Sequence, residues 1–469
     1  MNAAPSDRDA PDPDPSDLDN IAERLRRDKI ETVLCAIPDI WGRLVGKRVT
    51  TKSFLKTALG SEGLHGSLYL FVVDMDMDPR PGYAVSNWNS GFPDFRLVPD
   101  MSTLRTLPWL PATAVVICDA YREDADELVE VAPRTILRRQ IEAGRAAGVT
   151  FKFASELEFY LYRNAPADAW QRQYQGLEPL SYYRSDYHIL QSTKDDWIIA
   201  KIRNGMNAAG IEVEFSKSEW GLGQQEVNLR YTHTLEMADR HLLYKNGVKE
   251  IAALNGLTAT FMAKPSMDDI GSSFHAHVSL WDEAGERSLM HDAQSPNHMS
   301  EVFRTFLGGL LENSRQLAWM AAPNVNSYKR FQSSSFAPTA IAWGEDNRTC
   351  GFRVVGEHES LRVENRIPGA DANPYLVYAS MIMAGLYGMR EKIDSGPAHT
   401  GNAYEDRALA TIPETLHDAV EAFERSPLAV AGLGADVHAH LANFARQELL
   451  AFERETVTDW ERVRYFERA

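Results

Sequence analysis

Four segments of this chain place ionisable side chains where a strand or a tight turn would gather them, and they restrict the fold more than anything else in it. In VTFKFASELEFYLY, Glu156 and Glu158 share one face of a strand while Leu157 and Phe159 share the other. In SSFHAHVSL, His275, His277 and Ser279 alternate with Phe274, Ala276, Val278 and Leu280. In ESLRVENRIPG, Arg362, Glu364 and Arg366 alternate in the same way. In EVEFSKSEWGLGQQEVNL, Glu219 precedes Glu226 by seven residues, and Gly221 and Gly223 between them let the backbone fold until both carboxylates converge. Adjacent carboxylates on one face repel unless a cation sits between them. Each segment alone also fits a solvated face, hydrogen-bonded histidines or an ion-pair network. Each of the three alternating segments sets an apolar strand face against a polar one.

The 469 residues suggest about two to four domains at the usual domain size. The first 17, rich in Pro and Asp with little apolar content, are expected to be a disordered tail. A helical pattern begins at Leu18 and runs through Ile21, Leu25 and Ile30. ETVLCAIPD, LYLFVVDMD and ATAVVICDA read as strands between Gly, Pro and Asn turns. Pro133 is placed to open a helix over RTILRRQIEAGRAAG. The expected organisation is a small β-rich domain over residues 18–125 and a large α+β domain over 126–469.

Charge and cysteine content exclude several functions. The formal charge of −17 argues against a broad nucleic-acid footprint and against docking on anionic lipid. No apolar run approaches a membrane span, and the N-terminus has no signal-peptide pattern. Cys35, Cys118 and Cys350 are scattered, which fits a cytoplasmic protein and no thiolate zinc site.

The candidates drawn from residues 156–366 are five separated Glu, one or two His, and five Arg: Arg330, Arg348, Arg353, Arg362 and Arg366. Oxygen-rich ligands without thiolate select hard cations, Mg²⁺ or Mn²⁺. Hard cations with arginine forks are what phosphoryl transfer from ATP requires. There is no GxxxxGK[ST] and no GxGxxG opening a helix, so a nucleotide would bind on another scaffold.

In this order and spacing, SELEFYL, SEWGLGQQE, GSSFHAHVSL, NVNSYKRF, NRTCGFR and LRVENRIPGADANPYL resemble the glutamine synthetase family, over nearly the whole chain from Thr32. The resemblance implies an α+β fold with a β-grasp-like N-terminal domain and a catalytic domain built on a curved antiparallel sheet. It implies active sites between neighbouring subunits of a homo-oligomer, a dodecamer of two hexameric rings. It also implies the chemistry: ATP phosphorylates the γ-carboxylate of L-glutamate, and an amine displaces the phosphate. By position, Glu158, Glu219 and Glu226 match ligands of the metal nearer glutamate. Glu156, His275 and Glu364 match ligands of the metal between the ATP phosphates. Glu214, His277, Ser279, Arg353 and Arg362 match nucleotide contacts, and Gly271, Arg330 and Arg366 match glutamate contacts. Arg348 and Arg353 match the arginines that stabilise the transferring phosphoryl group.

Two positions depart from the glutamine-forming pattern. An N-terminal DGSS-like motif whose Asp helps bind ammonium reads LHGSL, with His65 at that place. A flap that usually carries a Glu reads RFQSSSFAP, with Phe336 at that place. Both anions that would hold NH₄⁺ are missing, whereas an aromatic ring offers apolar area and a cation–π face to an alkylammonium. His65 is the candidate base for the amine proton, or a packing residue. The pattern is similar to the glutamate–amine ligase branch, the γ-glutamylpolyamine and γ-glutamylethanolamide synthetases. The alternatives are an ammonia-using glutamine synthetase and a non-catalytic homologue that keeps only the fold. No NLYDLP-like loop bearing a modifiable Tyr stands out.

Overall fold

The computed structural model describes residues 18–59, 63–123 and 125–469, and the expected tail, residues 1–17, lies outside them. The first helix, Leu18–Arg27, buries Ile21 and Leu25. It stops before Ile30 because Lys29 turns into the left-handed region. Strands β1 (Thr32–Pro38), β2 (Leu44–Thr50), β3 (Leu64–Ser67), β4 (Asp94–Pro99), β5 (Arg105–Thr106) and β6 (Thr113–Arg122) form one sheet. Its order is β2-β1-β6-β4-β3, with β5 on β6. β1 and β6 are parallel, and the other pairs are antiparallel.

One expected strand is absent. In LYLFVVDMD, Leu68–Phe71 forms a 3₁₀ turn, capped by the Ser67 hydroxyl, which accepts from the Tyr69 amide. An apolar run without alternation fits a buried turn as well as a buried strand, and the cap decides it here.

The second sheet carries the polar face. Its strands are β7 (Thr150–Tyr162), β8 (Val213–Ser218), β9 (Gln224–His233), β10 (Thr258–Thr260), β11 (Phe274–Trp281), β12 (Trp343–Glu345), β13 (Phe352–Val355) and β14 (Arg362–Asn365). The order is β12-β13-β14-β11-β7-β9-β8, with β10 on the end of β7. All pairs except β12–β13 are antiparallel. Breaks in register between Phe153 and Ser155, and between Val213 and Phe215, bend the sheet. Its apolar face packs on helices Thr234–Leu254 and Pro374–Glu391: Phe153 and Phe274 meet Tyr378, and Phe159 meets Tyr244. No helix among the described residues is long and apolar enough to cross a membrane.

The helix opened by Pro133 (Pro133–Ala146) ties the two sheets together through Arg134. Its buried guanidinium donates to Asp119 at 2.6 Å and Asp100 at 2.7 Å on the first sheet's side. It also donates to both oxygens of Asp239, on the helix behind the second sheet, at 3.1 and 2.8 Å. Asp239 in turn accepts from the Tyr375 hydroxyl at 2.5 Å. Arg138 still reaches Asp100 at 3.1 Å and Asp119 at 2.8 Å, but removing Arg134 leaves the buried Asp239 without its cation, so Arg134→Met should destabilise the protein by about 3–5 kcal/mol, read as a lowered denaturant midpoint. A midpoint within about 1 kcal/mol of wild type would show the network to be dispensable.

Candidate active site

Strand register, not chain proximity, assembles the polar face. His275 stands opposite Glu156 across β11–β7, and His277 stands opposite Glu364 across β11–β14. Glu158 stands opposite Glu226 across β7–β9. Arg353 stands opposite Glu364 across β13–β14. Two groups result, Glu156–His275–Glu364 and Glu158–Glu219–Glu226, each offering ligand atoms within 4.8 Å of one another. Glu219 joins its group because the chain turns back between β8 and β9 at Gly223, whose φ is +77°. A β-carbon there would also lie 2.7 Å from the Leu161 carbonyl oxygen, so the turn requires glycine.

Both groups open on one cavity of about 910 Å³. Glu156, Glu158, Glu214, Glu219, Glu226, Gly271, His275, His277, Ser279, Phe336, Arg348, Arg353, Arg362 and Arg366 all line it. Glu364 and Arg330 are buried behind the wall. His65 is not among the lining residues; it lies on β3, where Nδ1 donates to Glu123 Oε2 at 2.9 Å.

The first group is held by opposite charges. His275 Nδ1 is 2.8 Å from Glu156 Oε1 and 3.4 Å from Glu364 Oε1, while its Nε2 is buried without a partner. Glu364 accepts from Arg366 at 2.5 Å and from Arg353 at 2.8 Å. Burial alone would raise the Glu364 carboxyl, but Arg366 and His275 hold it down at about 2. Burial is likewise overcome at Glu156, which His275 and His277 keep well below the usual carboxylate range.

The second group is dominated by like charges. Burial and then Glu219 push Glu158 up to about 8, although the Ser273 amide donates to it at 2.8 Å. Burial, Glu156 and Glu219 raise Glu226 well above the ordinary value. Three buried carboxylates without thiolate suit a hard divalent cation, which would relieve that repulsion. The first group adds one imidazole to two carboxylates, a donor set that also accepts such an ion.

The arginines divide by position. Arg330 is buried against Ser273 Oγ at 3.2 Å and the Ile367 carbonyl. It crosses Gly271, where a β-carbon would lie 2.6 Å from the Ala263 carbonyl oxygen, so glycine permits the approach. Arg366 also donates to the Phe336 carbonyl at 3.3 Å, tethering the flap, and Phe336 itself has φ +60°. Arg353 and Arg348 reach Asp346 at 2.5 and 4.0 Å. Arg362 Nε is 3.4 Å from His277 Nδ1, and Ser279 Oγ accepts from Trp281 Nε1 at 2.8 Å.

Several residues in the wall or directly behind it were not singled out in the sequence. Gln224 and Asn228 flank Glu226 at the strand period and donate to Glu158 at 3.2 Å and Glu156 at 3.3 Å. Lys152 lies over the Trp281 ring at 3.6 Å. Lys217 contacts Glu219 and lies 3.1 Å from Asp186. The period of two that identifies Glu156 and Glu158 also reaches Lys152, Gln224 and Asn228.

Known proteins share this arrangement. The model of the glutamine synthetase catalytic domain matches residues 130–465. A γ-glutamylethanolamide synthetase of Streptomyces coelicolor is 45% identical over 439 residues, covering 94% of this chain and 93% of that protein. A glutamate–isopropylamine ligase of a Pseudomonas species is 36% identical over 450 residues, covering 95% and 97%. A solved ADP complex of GmaS superposes with a TM-score of 0.82 at 28% identity, covering 96% of this chain and 99% of that one. The α+β architecture is therefore of the glutamine synthetase type, and the protein belongs to the glutamine synthetase family of ATP-dependent carbon–nitrogen ligases.

Proposed function

We propose that this enzyme joins the γ-carboxyl group of L-glutamate to a primary amine other than ammonia, of the ethanolamine or polyamine type, through γ-glutamyl phosphate. The observation that carries the reading is Phe336: an aromatic side chain faces the cavity where an ammonium-binding carboxylate is expected. The names of the two relatives, an ethanolamide synthetase and an isopropylamine ligase, support it.

In this reading Arg330, Arg366 and Gly271 hold glutamate, and Glu214, His277, Ser279, Arg353 and Arg362 hold ATP. Two divalent cations, Mg²⁺ or Mn²⁺, bound by the two ligand groups, supply neutralisation of the charge on the phosphates and the γ-carboxylate. A γ-carboxylate oxygen attacks the terminal phosphorus and ADP leaves. Arg348 and Arg353 stabilise the charge on the transferring oxygens, the usual source of the largest catalytic contribution. The amine nitrogen then attacks the acyl carbon, phosphate leaves, and the nitrogen sheds a proton. His65 takes that proton in the cavity of an adjacent copy, within a homo-oligomer of two hexameric rings. Glu123 accepts from Nδ1 and so orients the ring. The same reading places a domain boundary near residue 125 and the enzyme in the cytoplasm.

The test is phosphate release by the full chain with glutamate, ATP and ammonium, ethanolamine, isopropylamine, putrescine or spermidine in turn, with product masses. A γ-glutamyl amide of one or more organic amines, formed faster than glutamine, is expected. Robust turnover with ammonium alone would replace this reading with glutamine synthesis.

Cation binding should depend on pH. Glu158, protonated up to about 8, must lose its proton to act as a ligand, so affinity rises with pH. The rise in Tm produced by saturating Mg²⁺ should therefore grow between about pH 6.5 and 8. A constant or shrinking rise would count against the second group as a cation site.

A further inference from the structure

We propose that Lys217 and Arg184 restrict the substrate to monoamines with an uncharged tail, by occupying beforehand the positions where a second ammonium group could bind. The inference rests on the amide-ligase reading above and adds the charge class of the amine.

A cationic tail could be held at the glutamate end in two ways, by a carboxylate or by an aromatic face. Asp186, Tyr187, Glu219 and Trp220 line the cavity there, and the protein's own cations engage them: Lys217 from the lining itself and Arg184 from beside it. Lys217 Nζ contacts Glu219 and lies 3.1 Å from Asp186. The same nitrogen stands 4.4 Å from the centre of the Tyr187 ring. The Arg184 guanidinium lies 4.9 Å from the Trp220 ring centre and 3.6 Å from Asp269, next to Ile270 and Gly271. Asp269 is further engaged by the Leu222 amide at 2.8 Å. Glu158 and Glu226 belong with Glu219 to the second ligand group.

Phe336 is different. Among the described residues no cation stacks on it, and the residue is 63% exposed. It is left to receive the reacting amine. A second ammonium carried to Asp186, Glu219 or Asp269 would meet Lys217 or Arg184 there, and like charges in contact repel strongly. A hydroxyl or alkyl tail meets no such penalty and gains the apolar area of Phe336.

The experiment compares n-propylamine, ethanolamine and 1,3-diaminopropane in the full-length enzyme with glutamate, ATP and Mg²⁺. Propylamine and the diamine present the same reacting nitrogen and differ in the charge of the tail. Wild-type kcat/KM for the diamine should be at least about tenfold below that for propylamine, the scale of a like-charge contact. Lys217→Met and Arg184→Gln should each raise the diamine-to-propylamine ratio at least about threefold, since either change frees an acid and a ring. The ratio within each variant cancels a general loss of activity, and Arg184→Gln decides if Lys217→Met is inactive. A wild-type ratio near one, or a ratio unchanged in Arg184→Gln, overturns the proposal. Efficient γ-glutamyl diamine formation would do so while leaving the amide-ligase reading intact. Glutamine formation with no amide from any organic amine would overturn both.

Discussion

Replacing Glu158 or His275 with alanine should lower turnover by about 10³-fold or more, the scale on which removing a group that stabilises transition-state charge is felt. The two substitutions should differ in what they do to the metal-free fold, and that difference separates loss of a ligand from loss of structure. Glu158 is buried beside Glu219 and Glu226, and that crowding together with burial pushes its carboxyl up to about 8. Deleting it removes repulsion, so in chelator the Glu158→Ala protein should melt at or above the wild-type Tm. His275 donates its Nδ1 proton to Glu156 and faces Glu364, although burial and then Arg366 lower its pKa below the ordinary imidazole value. Deleting it leaves those two carboxylates with less compensation, so His275→Ala should melt lower in chelator but remain folded by circular dichroism. With Mg²⁺ added, wild type should gain Tm and both variants should gain less. Global unfolding of Glu158→Ala, or turnover within about tenfold of wild type in either variant, would remove the basis for assigning these groups as ligands.

The sequence alone discloses the polar face because a strand has a period of two and the face is built from strands. Glu156 with Glu158, His275 with His277, and Arg362 with Glu364 could be paired by counting. The glycine spacing between Glu219 and Glu226 signalled a reversal, and Gly223 makes it. Counting could not say which strand lies beside which. The register that sets His275 against Glu156 and His277 against Glu364 is fixed by pairings across the sheet, 119 and 87 positions apart along the chain by difference of residue numbers. Lys217 was passed over for a related reason. Read alone it is one lysine on a mixed strand, and its partner Asp186 comes from a segment with no regular pattern. Leu68–Phe71 was misread because an apolar run without alternation does not distinguish a buried strand from a buried turn.

A double substitution, His65→Asp with Phe336→Glu, should move the enzyme toward ammonium. Ammonium is small and strongly hydrated, so a site must repay its dehydration with close anions, and each charged hydrogen bond restores about 1.5–3 kcal/mol. That corresponds to about ten- to hundredfold per group in the ammonium-to-ethanolamine ratio of kcat/KM. The Phe336 position tolerates the change: its ring is largely exposed, and its left-handed backbone is strained equally by either side chain. Position 65 is less simple. Glu123 Oε2 lies 2.9 Å from His65 Nδ1, so an aspartate there faces a like charge and is held partly protonated. The single variant Phe336→Glu should therefore produce most of the shift. His65→Asp should add its share only when Glu123→Gln accompanies it. The ratio measured across Phe336→Glu, the double variant and the triple variant should rise in that order. An unchanged ratio in Phe336→Glu would show that the ring does not choose the nucleophile. A full response to His65→Asp without Glu123→Gln would show that Glu123 turns away from His65 when two copies meet.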